Sequence, residues 1–212
     1  MDFYLNDIYT GLLIYSISFF GMIMFIDKNR LWIMLEYIIN QKYAVLYYRK
    51  YSDFFTFLGI IHILIVFGIV VSFYLFSTGL QISHIAFMLI IVALICFFIT
   101  KFLTIYLLSF LFELPDYYKK YYYEYTTCLI FCSMLFLPII IFISYFNDGI
   151  IIHDYSIYIS YFLGLLYLIS QIVMLNRLNL FSISHIFYNI LYLCGLEVLP
   201  YLVLFNVLKL IN

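Results

Sequence analysis

The chain has 212 residues, of which 67% are hydrophobic, 23% are aromatic and only 10% are charged. Soluble domains contain about 45–50% apolar and about 25% charged residues, so this composition excludes a water-soluble fold. The formal net charge is -1, which provides no basic field that would attract nucleic acid. The composition therefore predicts a protein whose main surrounding is the lipid bilayer, with no nucleic-acid partner.

Long apolar runs predict the fold class. A hydrocarbon core about 30 Å thick needs about 20 apolar residues in a helix, and runs of this length lack the alternation of strands. We predict an all-α fold, a polytopic transmembrane helical bundle that forms a single integral membrane domain over residues 1–212. The six predicted spans are 8–26, 54–76, 82–112, 126–146, 157–175 and 185–208.

The distribution of Lys and Arg predicts the orientation. Eight of the ten basic residues fall in the first, third and fifth connections, and the second and fourth connections contain none. Because basic loops stay on the cytoplasmic side, we expect a multi-pass protein of the bacterial inner membrane. Both termini are then predicted to be periplasmic.

Residues 31–50, between the first two spans, combine basic residues with Trp32 and several tyrosines. This stretch is too polar to cross the bilayer and too apolar for a free loop. We predict a helical segment that lies on the cytoplasmic surface of the membrane.

The third span contains a charge, Lys101. A charge within a span costs about 2.5–3.5 kcal/mol on insertion scales, so it is a candidate functional residue. Glu197 in the sixth span lies at a similar depth, roughly 16–18 Å from the cytoplasmic end at 1.5 Å per residue. One interpretation is a Lys101–Glu197 ion pair. The alternative is a protonated Glu197 within the bundle, with the Lys101 stem extended toward an interface.

The stretch 117–125 before the fourth span is rich in tyrosine and contains Lys119 and Lys120. Its simplest interpretation is an aromatic belt at headgroup level beside basic side chains. The alternative is a binding site for the headgroup of an anionic lipid or a polyprenyl phosphate, contacted by Lys119, Lys120 and Arg177.

The sixth span is predicted to contain a small polar pocket. Pro200 lacks an N–H and therefore leaves the carbonyl of Leu196 free, beside Glu197. Tyr192 and Cys194 lie in the same stretch. Pro138 in the fourth span has the same effect on its own helix, so the two kinked helices could line a cavity.

Other signals of chemistry are weak. Of the histidines, His62 is expected to lie buried in the second span and His185 at the cytoplasmic edge. Only His84 and His153 share the outer side, and two histidines do not make a metal site. Cys128 and Cys132 are one helical turn apart and are interpreted as packing residues. We found no catalytic motif for hydrolysis, zinc chemistry or phosphate binding. The sequence thus predicts no metal, no cofactor and no catalytic residue, and it favours a protein that is not an enzyme.

The C-terminal stretch shows one resemblance. Phe187-Tyr188, Leu191-Tyr192-Leu193-Cys194, Leu196-Glu197 and Pro200 follow one another there. This progression resembles the end of a family of small multispan inner-membrane proteins from Bacteroidota, a domain of unknown function. The resemblance is strongest over about 25 residues; it implies an inner-membrane multispan protein and carries no activity.

Three functions are therefore considered. The first is a non-enzymatic subunit or assembly factor of a membrane complex, with a membrane-protein partner. The second is a small proton-coupled transporter that uses Glu197, with a pH-dependent flux that Glu197→Gln abolishes. The third is an intramembrane enzyme that acts on a lipid or polyprenyl phosphate held by Arg177, Lys119 and Lys120.

Overall fold

The fold consists of helices. A computed structural model describes residues 3–37, 42–48, 53–77, 84–111, 115–146 and 151–178. Within these ranges there is no strand, and the predicted all-α fold is confirmed. The helices are α1 (Phe3–Leu35), α2 (Lys42–Tyr47), α3 (Asp53–Ser77), α4 (His84–Leu111), α5 (Pro115–Phe146) and α6 (Ile151–Arg177).

Helix α1 changes direction where the first predicted span ends. Asp27 has extended backbone angles (φ -159°, ψ 90°) between two helical stretches. Its Oδ1 accepts a hydrogen bond from the backbone N–H of Arg30 at 3.0 Å, as an N-cap residue does three positions before its partner. Asp27 therefore ends the 8–26 stretch and starts the turns that bring Arg30 inward.

Helices α3 to α6 each carry a stretch that is long and apolar enough to cross a membrane, so the chain is a membrane protein. These stretches are Phe54–Ser72, Ile85–Leu107, Tyr118–Phe142 and Tyr158–Arg177. They agree with the predicted second, third, fourth and fifth spans, and the first predicted span lies within α1. The sixth, 185–208, lies outside the described residues.

Helix α5 begins before the fourth predicted span. The prediction began at residue 126, whereas α5 begins at Pro115 and continues through Pro138 to Phe146. Proline suits a first helical position because the N–H that it lacks has no helical acceptor there. Asp116 in the first turn adds a favourable interaction with the helix dipole.

Helix α5 forms the centre of the described bundle and contacts α1, α3, α4 and α6. In an 18-residue window of its apolar stretch 72% of the residues are buried, compared with 22% in that of α4. The outer face of α4 exposes a stripe of large apolar side chains, among them Met88, Val92, Ile99 and Phe110. This contrast places lipid-facing surface on α4 and buried side chains along α5.

One glycine allows α3 to approach α5 closely. A Cβ added at Gly59 would overlap the side chain of Ile130, which is buried on α5. At Gly164 on α6 a Cβ would meet nothing within 4 Å. The side chain of Ile130 therefore occupies the space that a side chain at residue 59 would take, and a Cβ there would require Ile130 to shift.

Candidate functional site

A group of buried polar side chains lies where α5 meets the turn after α1 and the end of α6. Tyr37 donates its hydroxyl hydrogen to Glu124 Oε2 at 3.1 Å. Arg177 Nη1 lies 4.0 Å from the same oxygen, and the Arg177 and Glu124 side chains are only 8% and 5% exposed. Arg177 Nη2 also donates to the backbone carbonyl of Tyr37. We call Tyr37, Glu124 and Arg177 the acidic cluster.

The acidic cluster is charge-balanced and brings together distant parts of the chain. The guanidinium carbon of Arg177 lies 4.2 Å from the centre of the Tyr37 ring, so the cation also contacts an aromatic face. Tyr37 and Glu124 are 87 residues apart, and Tyr37 and Arg177 are 140 residues apart. The three side chains therefore fix the positions of α5, α6 and the end of α1 relative to one another.

Among the described residues, the guanidinium of a second buried arginine, Arg30, is held by a phenol and by aromatic rings. Arg30 is 4% exposed, and its Nε donates to the hydroxyl of Tyr43 at 2.9 Å. Its guanidinium carbon lies 3.7 Å from the ring centre of Phe55 and 5.1 Å from that of Tyr47. Planar guanidinium groups stack well on aromatic faces, which offsets part of the lost hydration. We call Arg30, Tyr43, Tyr47 and Phe55 the aromatic cage.

The aromatic cage also contacts α5. Tyr123 donates its hydroxyl hydrogen to the carbonyl of Tyr43 at 3.4 Å, and the two rings stack with centres 6.3 Å apart. Because Tyr123 directly precedes Glu124, consecutive residues of α5 contact the two arginine sites.

Burial changes the acidity of the tyrosines in these sites. Burial raises the pKa of Tyr37 well above its usual range, nearby Cys128 and Glu124 raise it further, and Arg177 opposes the shift. Burial also raises the pKa of Tyr43, but Arg30 opposes this shift. Both phenols therefore keep their protons at neutral pH, and Tyr37 stays available as a donor to Glu124.

Lys101 is fully buried, as expected for a charge within a span. Its Nζ lies 3.9 Å from the ring centre of Tyr125, and the Tyr125 hydroxyl lies 3.4 Å from that of Tyr167 on α6. The predicted partner, Glu197, lies outside the described residues, as do Tyr192, Cys194 and Pro200. The ion pair and the polar pocket of the sixth span therefore stay predictions.

The prediction of an aromatic belt was wrong for three tyrosines of the 117–125 stretch. Tyr121, Tyr123 and Tyr125 are 0%, 4% and 0% exposed, because this stretch is part of α5 and packs inside the bundle. In the 31–50 segment Tyr37 and Tyr43 are likewise buried, whereas Trp32 and Tyr48 are exposed.

The three predicted headgroup contacts differ in their surroundings. Lys119 and Lys120 are exposed on the first turns of α5. Arg177 is held inside by Glu124 and Tyr37. An anion at the surface could therefore meet the lysines, whereas Arg177 already contacts a carboxylate.

Two further predictions concern single residues. His62 is fully buried and stacks on Phe19 with ring centres 3.9 Å apart. Cys128 is buried and accepts a hydrogen bond from Gln171 Nε2 at 3.5 Å, so it contributes a polar contact between α5 and α6 as well as packing. In the described part of the chain, no three His, Cys, Asp or Glu residues are grouped to hold a metal ion.

The sequence-based reasoning missed Glu124, Arg30 and Gln171. A usable signal existed for Glu124, since the residues that follow it on α5 at a spacing of four, Cys128, Cys132 and Phe136, are apolar. No comparable local signal marks Arg30, which follows Asp27 and Lys28 in a stretch that resembles an ordinary polar break.

Comparisons with known proteins add the following. A family model described as "Domain of unknown function (DUF4271)" matches residues 9–208. No curated protein and no solved structure matches the chain.

Proposed function

The chain belongs to this family, whose model covers nearly all of it, and we propose that it acts as a non-enzymatic subunit or assembly factor of a membrane-protein complex. The proposed location is the bacterial inner membrane, with the basic connections in the cytoplasm. The main support for this proposal is the acidic cluster, in which charged side chains of different helices contact one another.

The surroundings of the buried Glu124 favour a structural role over catalysis or transport. A catalytic or transport site needs a charged group that can face a substrate or ion. Glu124 instead contacts Tyr37 and Arg177, and all three side chains are buried. Buried ion pairs of this kind can specify which helices pack together, which suits a protein whose role is to present a defined surface.

The exposed apolar surface supports the same proposal. On α4 and α6, large side chains such as Leu103, Tyr158 and Leu168 are between 54% and 68% exposed. Such faces can pack against lipid or against helices of another membrane protein.

The test is to purify the tagged full-length protein from its native host in a mild detergent and to identify bound proteins by mass spectrometry. We expect one defined membrane protein at near-equal stoichiometry, recovered again when that protein carries the tag. Deletion of the chain should lower the abundance of this partner. A solitary wild-type protein would contradict the proposal.

The matched variant is the double change Glu124→Gln with Arg177→Met, which removes both charges together. If the charges act only in packing, the double variant should still capture the partner, provided that its melting curve shows a folded protein. A folded double variant that captures the partner but fails to support the pathway of the partner would instead indicate chemistry at this site.

The orientation can be tested separately. Lys119→Cys in a background without the four native cysteines should react with a membrane-impermeant thiol reagent only after the cytoplasmic side is opened. Labelling in intact cells would contradict the proposed orientation and indicate the opposite one.

A further inference from the structure

An apolar groove lies between α3, α4 and α5, away from both arginine sites. Its volume is about 430 Å³, and its walls include Ile60, Ile63, Ile95, Ile99, Phe98 and Leu129. Small-molecule pockets usually measure about 300–1,000 Å³, so the groove is large enough for a ligand. Ile99 and Leu103 line it and are 59% and 54% exposed, so it opens on the surface of α4.

The groove favours an apolar occupant along most of its length. Thr126 is a polar residue in its wall, but its hydroxyl donates to the carbonyl of Tyr122 at 2.7 Å within α5. The rest of the wall away from the tyrosines is aliphatic or phenylalanine. A polar ligand would therefore lose its hydration there with little compensation.

One end of the groove is lined by tyrosines. Tyr106, Tyr118 and Tyr122 line it there, and the rings of Tyr106 and Tyr118 meet edge to face with centres 5.5 Å apart. Tyr106 is next to the last residue of the apolar stretch of α4, and Tyr118 is the first residue of that of α5. The tyrosine end therefore lies at the boundary of the apolar layer, where tyrosines commonly meet lipid headgroups.

A positive charge borders this end. Lys119 is exposed and lies between Tyr118 and Tyr122 on α5, which places it about 60° around the helix from Tyr122 at about 100° per residue. Lys120, also exposed, lies about 160° from Tyr122 by the same spacing. Lys119 is thus beside the groove, and Lys120 is on another face.

We propose that this groove holds an acyl chain of an anionic membrane phospholipid whose phosphate lies beside Lys119. The acyl chain packs against the apolar walls of the groove. The phosphate lies at the membrane surface, where it contacts Lys119 and the tyrosine end. This site is independent of any protein partner, so it can exist whether or not the chain is a complex subunit.

The test uses the purified full-length protein in detergent. Phosphatidylglycerol and phosphatidylcholine with identical acyl chains are added in parallel, and native mass spectrometry measures the fraction of protein with bound lipid. We expect tighter binding of phosphatidylglycerol. Lys119→Gln should weaken that binding about fivefold, the effect of one basic residue near a headgroup. Lys120→Gln, on the other face, should change it little.

A second pair of variants tests the groove itself. Leu103→Trp adds bulk to a groove residue, whereas Leu107→Trp adds the same bulk one turn further along α4, at a residue that is 49% exposed. We expect only the first to displace both lipids. Both positions are partly exposed, and a melting curve for each variant checks that it folds.

A photoactivatable acyl chain on phosphatidylglycerol should crosslink to α4 or α5 beside the groove. Equal binding of the two lipids, or equal effects of the two tryptophan variants, would overturn the proposal. So would a crosslink of the acyl chain only to helices that do not line the groove. Because no partner is present, these outcomes do not bear on the proposed subunit function.

Discussion

The acidic cluster and the aromatic cage are two ways to bury an arginine beside the same turn of α5. Arg177 lies near the carboxylate of Glu124, whereas Arg30 donates to a phenol and stacks on Phe55. In the first site the stabilising group carries a full negative charge that is itself buried. In the second site the groups that contact the guanidinium are neutral, and removal of one ring leaves the others in contact with Arg30. The two sites should therefore respond differently to substitution.

The largest effect is expected at the acidic cluster. Glu124→Gln removes the negative charge beside Arg177 and should lower the free energy of unfolding by about 3–5 kcal/mol, as for other broken buried pairs. Unfolding in mixed micelles with a denaturing detergent measures this change. Arg177→Met in the same chain should recover part of the loss, because it removes the charge that Glu124→Gln leaves behind. Additive losses would contradict the interdependence of the pair.

Lys101 is a third buried cation, and the next test asks whether it is stabilised by a carboxylate, as Arg177 is, or by aromatic groups, as Arg30 is. Its Nζ lies over the Tyr125 ring, as in the aromatic cage, whereas the sequence predicts a carboxylate partner, Glu197. If the ion pair forms, Lys101→Met and Glu197→Gln should each cost about 1–3 kcal/mol, and the double variant should lose less than the sum. Melting temperatures in detergent measure the three variants. Additive losses would place Lys101 with the aromatic cage pattern.

The aromatic cage should depend on the shape of its cation. Arg30→Lys keeps the positive charge but removes the planar group that stacks on Phe55, and we expect a loss of about 1–2 kcal/mol. Lys28→Gln is the matched control, because Lys28 lies two residues earlier and is exposed. The same unfolding assay compares them. If Arg30→Lys changes stability no more than Lys28→Gln, the stacking contributes little.

The two sites also show what the sequence could and could not predict. Apolar runs near 20 residues predicted α3, α4 and α6 well, because a helix that crosses the bilayer must be apolar over that length whatever its neighbours are. The buried state of Glu124 could not be predicted in this way. Its surroundings come from Tyr37 and Arg177, which are distant along the chain, and such pairings leave no local pattern.

The 117–125 stretch shows the same limit. Tyrosines beside lysines are typical of a membrane surface, and Lys119 and Lys120 are indeed exposed. Alternate tyrosines of this stretch are nevertheless buried, since α5 starts at Pro115 and turns them toward α2, α4 and α6. The composition of this stretch predicted exposed lysines. It could not predict which tyrosines face inward, because that depends on how α5 packs against its neighbours.

The smallest effect, and the finest comparison of the two sites, concerns alkaline pH. Burial raises the pKa of both Tyr37 and Tyr43, and an arginine opposes each shift. The pKa of Tyr37 is raised further because Cys128 and Glu124 add to the effect of burial there, whereas Tyr43 also accepts a hydrogen bond from Arg30. A raised pKa in the folded state means that the folded protein keeps a proton which the unfolded chain releases above about pH 10. The resulting stability is complete below about pH 10 and is lost as the pH rises from there through the folded pKa.

Tyr37→Phe should therefore flatten the decline of the melting temperature above about pH 10, and Tyr43→Phe should flatten it less. Melting curves at matched ionic strength between pH 8 and pH 11.5, roughly spanning the unfolded tyrosine pKa, measure both slopes. Lysine deprotonation contributes equally to the two variants and cancels in their difference. Equal slopes would mean that the pKa values of the two tyrosines are raised alike, and that the two arginine sites differ only in how they pack.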